Sequence, residues 1–353
     1  MDGLRTFTLT DGGQEADAIA AEVIAYLDGA RTSLDLALYD LRLPGEVGDR
    51  VAAAIKAAAA RGVQVRIVFN EVGDGHDRPK FPPPPRTQPH VLETLGVPVR
   101  GIPGEPDLMH HKYVVRDGAA VWTGSMNWTV DSWTRQENIV LIAESAGLAT
   151  AYTKNFEDLW NGGHVAGSGA FDAPWVELGG GRVRAWFSPG RGEALSQAIA
   201  TALGAARTRI RIASPVLTAG AVLGTLAEIG SESKVDVQGV CDWTQLSHVF
   251  DQWAQNPRSS WKAPVLARVL ETAHYHGKRS TPYTPDSVHD FMHAKVTVAD
   301  DTVFAGSFNL SRSGEMNAEN VLEIEDAGVA DAAAAFIDGV YARYPDVEAP
   351  PLG

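Results

Sequence analysis

From Met109 to Asn127, and again from Met292 to Asn309, the chain runs through one pattern: His-x-Lys, four residues, Asp, and five or six residues later Gly-Ser-x-Asn. The first copy supplies His110, Lys112, Asp117, Ser125 and Asn127; the second supplies His293, Lys295, Asp300, Ser307 and Asn309. About ten residues past each asparagine stand Glu137-Asn138 and Glu319-Asn320. A single His-x-Lys carries no information. Two copies matched at six positions in register mark an internal duplication, so one αβ unit has to serve both halves.

The flanking sequence repeats as well. Residues 17–30 place Ile19, Val23, Ile24 and Leu27 on one helical stripe, and residues 193–206 read as the equivalent helix. Ala-Arg-Thr closes both helices, and an alternating strand follows, 31–39 in the first half and 207–213 in the second. Helix 47–61 and strand 63–69 then match helix 220–229 and strand 235–240. Strands alternating with helices pair in parallel in an α/β sheet. The expected fold class is therefore α/β, with two tandem homologous αβ domains, each a mixed sheet flanked by helices. The first domain covers 1–165, the second 181–346, and the glycine-rich stretch 166–180 reads as their linker. A chain of 353 residues has the length that two such domains need.

Each half carries one insertion. Residues 71–90 contain Pro82-Pro83-Pro84-Pro85, which favours an extended, stiff surface loop. Residues 242–290 hold Trp243, Trp253 and Trp261. Trp243, Leu246, Phe250 and Trp253 share a helical face that is expected to pack on its own domain; its other use would be a lid or a lipid-facing patch. With 30 basic and 44 acidic residues, the chain has a net charge of −14 and does not attract nucleic acid over its whole surface. Cys241 is the one cysteine, which excludes an intrachain disulfide and a cysteine-built metal site. With no apolar run of transmembrane length and no secretory signal in the sequence, a cytoplasmic location is expected.

Residues two apart on a strand face the same way, so His110 projects with Lys112, and His293 with Lys295. Asp117-Gly118 and Asp300-Asp301 suit the tight turn of a hairpin. The return strand brings Gly-Ser-x-Asn beside the His-x-Lys pair, where the glycine would let a ligand come close. Two facing copies would place two imidazoles, two ammoniums, two hydroxyls and two amides in one pocket. That set suits a phosphodiester: lysines and amides stabilise charge on the phosphoryl oxygens, one imidazole attacks phosphorus, and the other protonates the leaving oxygen. No carboxylate cluster with metal-ligand spacing accompanies it, so neither a metal nor a cofactor is expected.

These doubled motifs resemble those of the phospholipase D superfamily, the His-Lys-Asp phosphodiesterases. The resemblance implies a pseudo-dimer of αβ domains around one shared site and a covalent phosphohistidine intermediate. It implies that His110 and His293 are nucleophile and general acid/base, with the nucleophile assigned to His110. Lys112, Lys295, Asn127, Asn309, Ser125 and Ser307 would bind phosphate, and Glu137 and Glu319 would orient the histidines. Asp117 and Asp300 are expected to be structural, given their turn positions. Within the superfamily, the first motif resembles the nuclease and mitochondrial cardiolipin hydrolase branch, whereas two motifs in one chain are found in phospholipases and cardiolipin synthases.

The expected activity is hydrolysis or exchange of a phospholipid headgroup, with peripheral membrane contact and no obligate protein partner. The alternative is a metal-independent endonuclease, whose cleft would need Arg78, Lys80, Arg86, Lys262, Arg268, Lys278 and Arg279 as its local basic groups. A binding module with an inactive site is disfavoured by intact motifs in both halves.

Overall fold

A computed structural model describes residues 2–71, 89–232, 234–256, 259–284 and 287–350. The first half opens with β1 (Leu4–Leu9), α1 (Ala16–Asp28), β2 (Ser33–Leu38), β3 (Leu41–Arg42), α2 (Gly45–Ala60) and β4 (Gln64–Glu71). It continues with α3 (Pro89–Glu93), β5 (Val99–Pro103), β6 (Lys112–Arg116), β7 (Ala120–Gly124), β8 (Trp128–Thr129), α4 (Val130–Thr134), β9 (Asn138–Glu144) and α5 (Ala146–Gly162). The second half opens with β10 (Val176–Leu178), β11 (Gly181–Ser188), α6 (Gly192–Ala205), β12 (Arg209–Ala213), α7 (Gly220–Glu232), β13 (Asp236–Asp242) and α8 (Trp243–Ala254). Then come α9 (Lys262–Thr272), β14 (Tyr275–Lys278), β15 (Val296–Ala299), β16 (Thr302–Gly306), α10 (Arg312–Met316), β17 (Glu319–Glu325) and α11 (Ala327–Tyr341).

One sheet is ordered β1-β9-β7-β6-β2-β4-β5, the other β10-β11-β17-β16-β15-β12-β13-β14. Apart from β10, the two orders correspond strand for strand. Both sheets are mixed, as the alternation of elements and the motif hairpin together require. β2 runs parallel to β4 and β12 parallel to β13. The hairpins β6–β7 and β15–β16 are antiparallel.

The motif aspartates explain why Ala-Arg-Thr recurs. Asp117 sits at the β6–β7 turn with φ +56°, and Asp300 at the β15–β16 turn with φ +51°. The Asp117 carboxylate accepts from the backbone amides of Arg31, Thr32 and Ser33 and from the Thr32 hydroxyl, at 2.7–3.0 Å. Asp300 accepts from the amides of Arg207, Thr208 and Arg209 and from the Thr208 hydroxyl, at 2.6–3.0 Å. Each aspartate thus closes the entry to the neighbouring strand, β2 or β12. These donors hold the Asp300 carboxyl down at about 2, although partial burial alone would raise it.

Three apolar cores hold the layers. α1 and α2 cover the outer face of the first sheet with Val23, Leu27, Val51 and Ile55. α6, α7 and α9 cover the outer face of the second with Leu195, Ile199, Leu223 and Leu266. The third core belongs to both halves: Tyr113, Leu141, Tyr152 and Phe156 pack with Phe187, Val303, Leu322 and Ile337. α5 and α11 lie in this shared layer. Ser145 caps α5 by accepting from Leu148 N, and Asp326 caps α11 by accepting from Val329 N.

The stretch expected as the linker contains strand β10 (Val176–Leu178), paired antiparallel with β11. Leu246 and Phe250 of the tryptophan-bearing face are buried, with Trp243 and Trp253 packed partly against them, so that face packs on its own domain. The polyproline run and Arg78, Lys80 and Arg86 lie outside the described residues. Among the described residues, no helix is long and apolar enough to cross a membrane.

The shared core makes the halves interdependent. Burying a large apolar side chain is worth about 1.5–3 kcal/mol, and several on each side would lose their cover together. Residues 1–165 expressed alone should self-associate or aggregate on size exclusion; a monodisperse monomer with a cooperative unfolding transition would contradict the shared core.

Candidate active site

Neither histidine sits on its motif strand. Each stands just before it, on a segment that crosses to the opposite half. Met109 bridges Ala318 and His110 N donates to Ala318 O at 2.9 Å, while Met292 bridges Glu137 and His293 N donates to Glu137 O at 3.2 Å. The ends of β4 and β13 hold these crossings: Asn70 Oδ1 accepts from Met109 N, and Asp242 Oδ2 accepts from Met292 N. Sequence reasoning missed both residues. Each ends a repeated apolar strand, Val-Phe-Asn and Val-Cys-Asp, so aligning the halves strand by strand would have exposed them.

The contacts run crosswise. His110 Nδ1 shares a 2.8 Å hydrogen bond with Glu319 Oε2 of the other half. His293 Nδ1 meets Asn138 Oδ1 at 3.1 Å, again across the halves. Asn138 Nδ2 donates to Ser132 O, which leaves Oδ1 to accept, so His293 Nδ1 carries the proton and Nε2 keeps its lone pair. Lys112 Nζ donates to His110 O at 2.6 Å and lies over the Tyr39 ring. Lys295 Nζ donates to His293 O at 2.8 Å. The Tyr39 ring also packs edge-on to His110, with centroids 4.4 Å apart.

The expected roles for three motif positions need revision. Glu137 does not bond His293; its carboxylate accepts from Lys278 Nζ at 3.0 Å, from Asp11 N and from the Tyr344 hydroxyl. Ser125 and Ser307 face the scaffold. Ser125 Oγ donates to Asn138 Oδ1 and accepts from Ile139 N; Ser307 Oγ accepts from Asn320 N. The motif glycines also serve the scaffold and not a ligand. A Cβ on Gly124 would lie 2.2 Å from Ile139 O, and one on Gly306 2.1 Å from Asn320 O, so glycine is what lets the Glu-Asn strand come close. Asn127 and Asn309 line the cleft.

His110 and His293 open into a cleft of about 550 Å³ between the halves. Tyr39, Trp253, Tyr283 and Phe291 line it, with Arg42, Lys262 and Arg312 as its cations and Asp40 and Asp107 among its acids. Arg42 is paired with Asp40, and Arg312 with Glu193 and Glu315. Of the other proposed basic groups, Lys278 is buried in ion pairs, and Arg268 lines a different groove beside α7.

Burial dominates the electrostatics. It pushes both histidines well below their usual range, and the adjacent lysines push the same way. Lys112 falls to about 7 despite Glu319 and Asp40, and Lys295 falls well below the ordinary lysine value. Glu319 rises to about 8. A site that sheds charge when empty favours an anion that brings charge of its own. At pH 8, binding of inorganic vanadate should therefore draw protons onto the lysines. Titration calorimetry in two buffers of different ionisation enthalpy should report net proton uptake; net release would contradict this electrostatic reading.

Both halves match one family model, described as the cardiolipin synthase, PLD-like domain, over residues 23–160 and 199–340. The mitochondrial cardiolipin hydrolase of Xenopus laevis is 31% identical over 144 residues, which is 41% of this chain and 62% of that protein. The phospholipase D of Rickettsia bellii is 32% identical over 130 residues, 37% of this chain and 58% of that one. The chain thus spans about three fifths of the length of these relatives. Across nearly the whole chain, 98% of it and 88% of the other, the fold is similar to that of phosphatidylserine synthase from Haemophilus influenzae, with a TM-score of 0.67 at 12% identity. The duplicated motifs, the paired sheets and the family match over both halves agree: the chain belongs to the phospholipase D superfamily and carries two phospholipase D-like domains in one polypeptide.

Proposed function

We propose that this chain is a phosphodiesterase that hydrolyses a phospholipid at its headgroup phosphate through a phosphohistidine intermediate. The observation that carries the reading is the convergence of His110 and His293 from two halves on one cleft, each with its motif lysine buried behind it and bonded to its backbone carbonyl. In the proposed reaction, His110 Nε2 donates its lone pair to phosphorus while Nδ1 faces Glu319, whose carboxylate balances the imidazolium that forms. His293, which holds its own proton on Nδ1, takes a second proton from solvent at Nε2 as the phosphodiester brings its charge, and transfers it to the departing alkoxide oxygen, so the leaving group exits as an alcohol. Neutral His293 then takes a proton from water, whose oxygen attacks phosphorus and displaces His110. Lys112, Lys295, Asn127 and Asn309 stabilise the charge on the phosphoryl oxygens. In this reading residues 1–165 and 181–346 are the two catalytic domains, joined by 166–180, and each contributes one histidine and one lysine.

The cleft chemistry supports a lipid over a nucleic acid. A nucleic-acid track needs a basic groove that follows the backbone. Here Arg42 and Arg312 are neutralised in ion pairs, and Asp40 and Asp107 face the same space. Trp261 is 61% exposed and adjoins cleft-lining Lys262, an apolar rim suited to a lipid surface. The cardiolipin hydrolase and phospholipase D relatives are named for lipid substrates.

Phosphatidylcholine vesicles and a single-stranded oligonucleotide, each offered in chelator, separate the readings. Headgroup release from the vesicles with the oligonucleotide intact is expected; the opposite result overturns the lipid assignment. With a nitrophenyl phosphodiester, whose leaving group needs no protonation, His293→Ala should accumulate phosphoryl on His110 by mass mapping, and His110→Ala should give no burst. An adduct on His293 would reverse the assignment, and wild-type turnover with no adduct in any variant would remove the covalent step.

A further inference from the structure

A buried polar atom without a partner raises the energy of the empty site and calls for an explanation. Among the described residues, three that line the cleft carry such an atom: the Tyr39 hydroxyl, Asn127 Oδ1 and Gln136 Oε1. They are not equivalent. Gln136 Nε2 is spent on His289 O at 2.7 Å, so only its oxygen is left over. Amide oxygens accept hydrogen bonds, and so do the oxygens of a phosphodiester. Of the three atoms, the Tyr39 hydroxyl alone can donate to an anion.

Tyr39 follows Leu38, the residue of β2 that pairs with Lys112. Its amide donates to His111 O at 2.8 Å, which fixes its backbone beside the first motif. Its ring packs edge-on to His110, with centroids 4.4 Å apart, and Lys112 Nζ lies 4.8 Å from the ring centroid. Both contacts are made by the ring and leave the hydroxyl unspent. The residue is 6% exposed. Burial, with Asp40 and Glu319 nearby, pushes the phenol well above its usual range, so it keeps its proton and remains a donor.

The second half has no equivalent. Ala213 pairs with Val296 as Ala37 pairs with Tyr113, which puts Pro215 at the position of Tyr39. A proline side chain offers no donor, so the phenol serves the His110 side only.

We propose that Tyr39 is a catalytic residue whose hydroxyl donates a hydrogen bond to a phosphoryl oxygen of the phosphodiester held against His110. The proposal rests on the reading of the cleft as a phosphate site. The hydroxyl keeps its proton throughout and gains the partner that the empty site lacks. Charge grows on the phosphoryl oxygens as His110 Nε2 bonds phosphorus, so the hydrogen bond is stronger in the transition state than in the bound substrate.

Tyr39→Phe in the full-length chain tests this, because it removes the hydroxyl and keeps both ring contacts. Its melting temperature should equal or exceed that of wild type, since an unpartnered buried hydroxyl is lost. Its kcat for bis(para-nitrophenyl) phosphate should fall at least about tenfold, as for other donors to a developing oxyanion. Its affinity for inorganic vanadate should fall as well. An unchanged kcat overturns the proposal. So does a variant that melts lower or does not fold, since the hydroxyl would then be bonded within the fold. No lipid enters the test, so it is independent of the headgroup assignment. A wild-type protein that binds no vanadate would overturn the phosphate-site reading itself and the inference with it.

Discussion

Two backbone crossings hold the site together. His110 N reaches Ala318 O in the other half, and His293 N reaches Glu137 O. These bonds place each histidine on a segment fixed by both sheets, immediately before the carboxylate or amide that meets the opposite ring. Were either crossing lost, the histidine would follow its own hairpin and the Glu-Asn strand would follow its own sheet. The shared core around Tyr152, Phe187 and Leu322 gives the crossings their rigidity, because neither sheet can shift without opening apolar surface to water.

Burying two lysines, two imidazoles and a carboxylate together is costly unless the groups shed charge or find counterions. Both happen here. The lysines lose basicity, Glu319 gains a proton affinity near 8, and Glu319 shares its hydrogen bond with His110. An incoming phosphodiester supplies the missing negative charge, which ties recognition and activation to one event. The other carboxylate, Glu137, has its counterion in Lys278.

Much of this was legible in the sequence, for a specific reason. Duplication lets each half test the other, so helix, strand and hairpin assignments made on weak local patterns gained support from their repeat. The doubled spacing singled out His110, Lys112, Asn127, His293, Lys295 and Asn309, and the resemblance suggested their roles. The turn role expected of Asp117 and Asp300 agrees with their hydrogen bonds to Arg31–Ser33 and Arg207–Arg209. What escaped reading depends on contacts distant in the chain. The crosswise pairing of Glu319 with His110 spans 209 residues, and the capture of Glu137 by Lys278 spans 141. Local periodicity carries no signal at such separations. Glycine in Gly-Ser-x-Asn pointed to ligand approach because sequence does not show the neighbouring strand. The structure places Ile139 O and Asn320 O where a side chain would be.

The central claim is that two halves make one phosphate site. A crystal structure of the full chain with vanadate tests it most directly. One vanadate per chain is expected, between His110 Nε2 and His293 Nε2 and within reach of Lys112 and Lys295. Two vanadates, one bound to each half independently, or a vanadate held by one histidine with the other turned away, would contradict it.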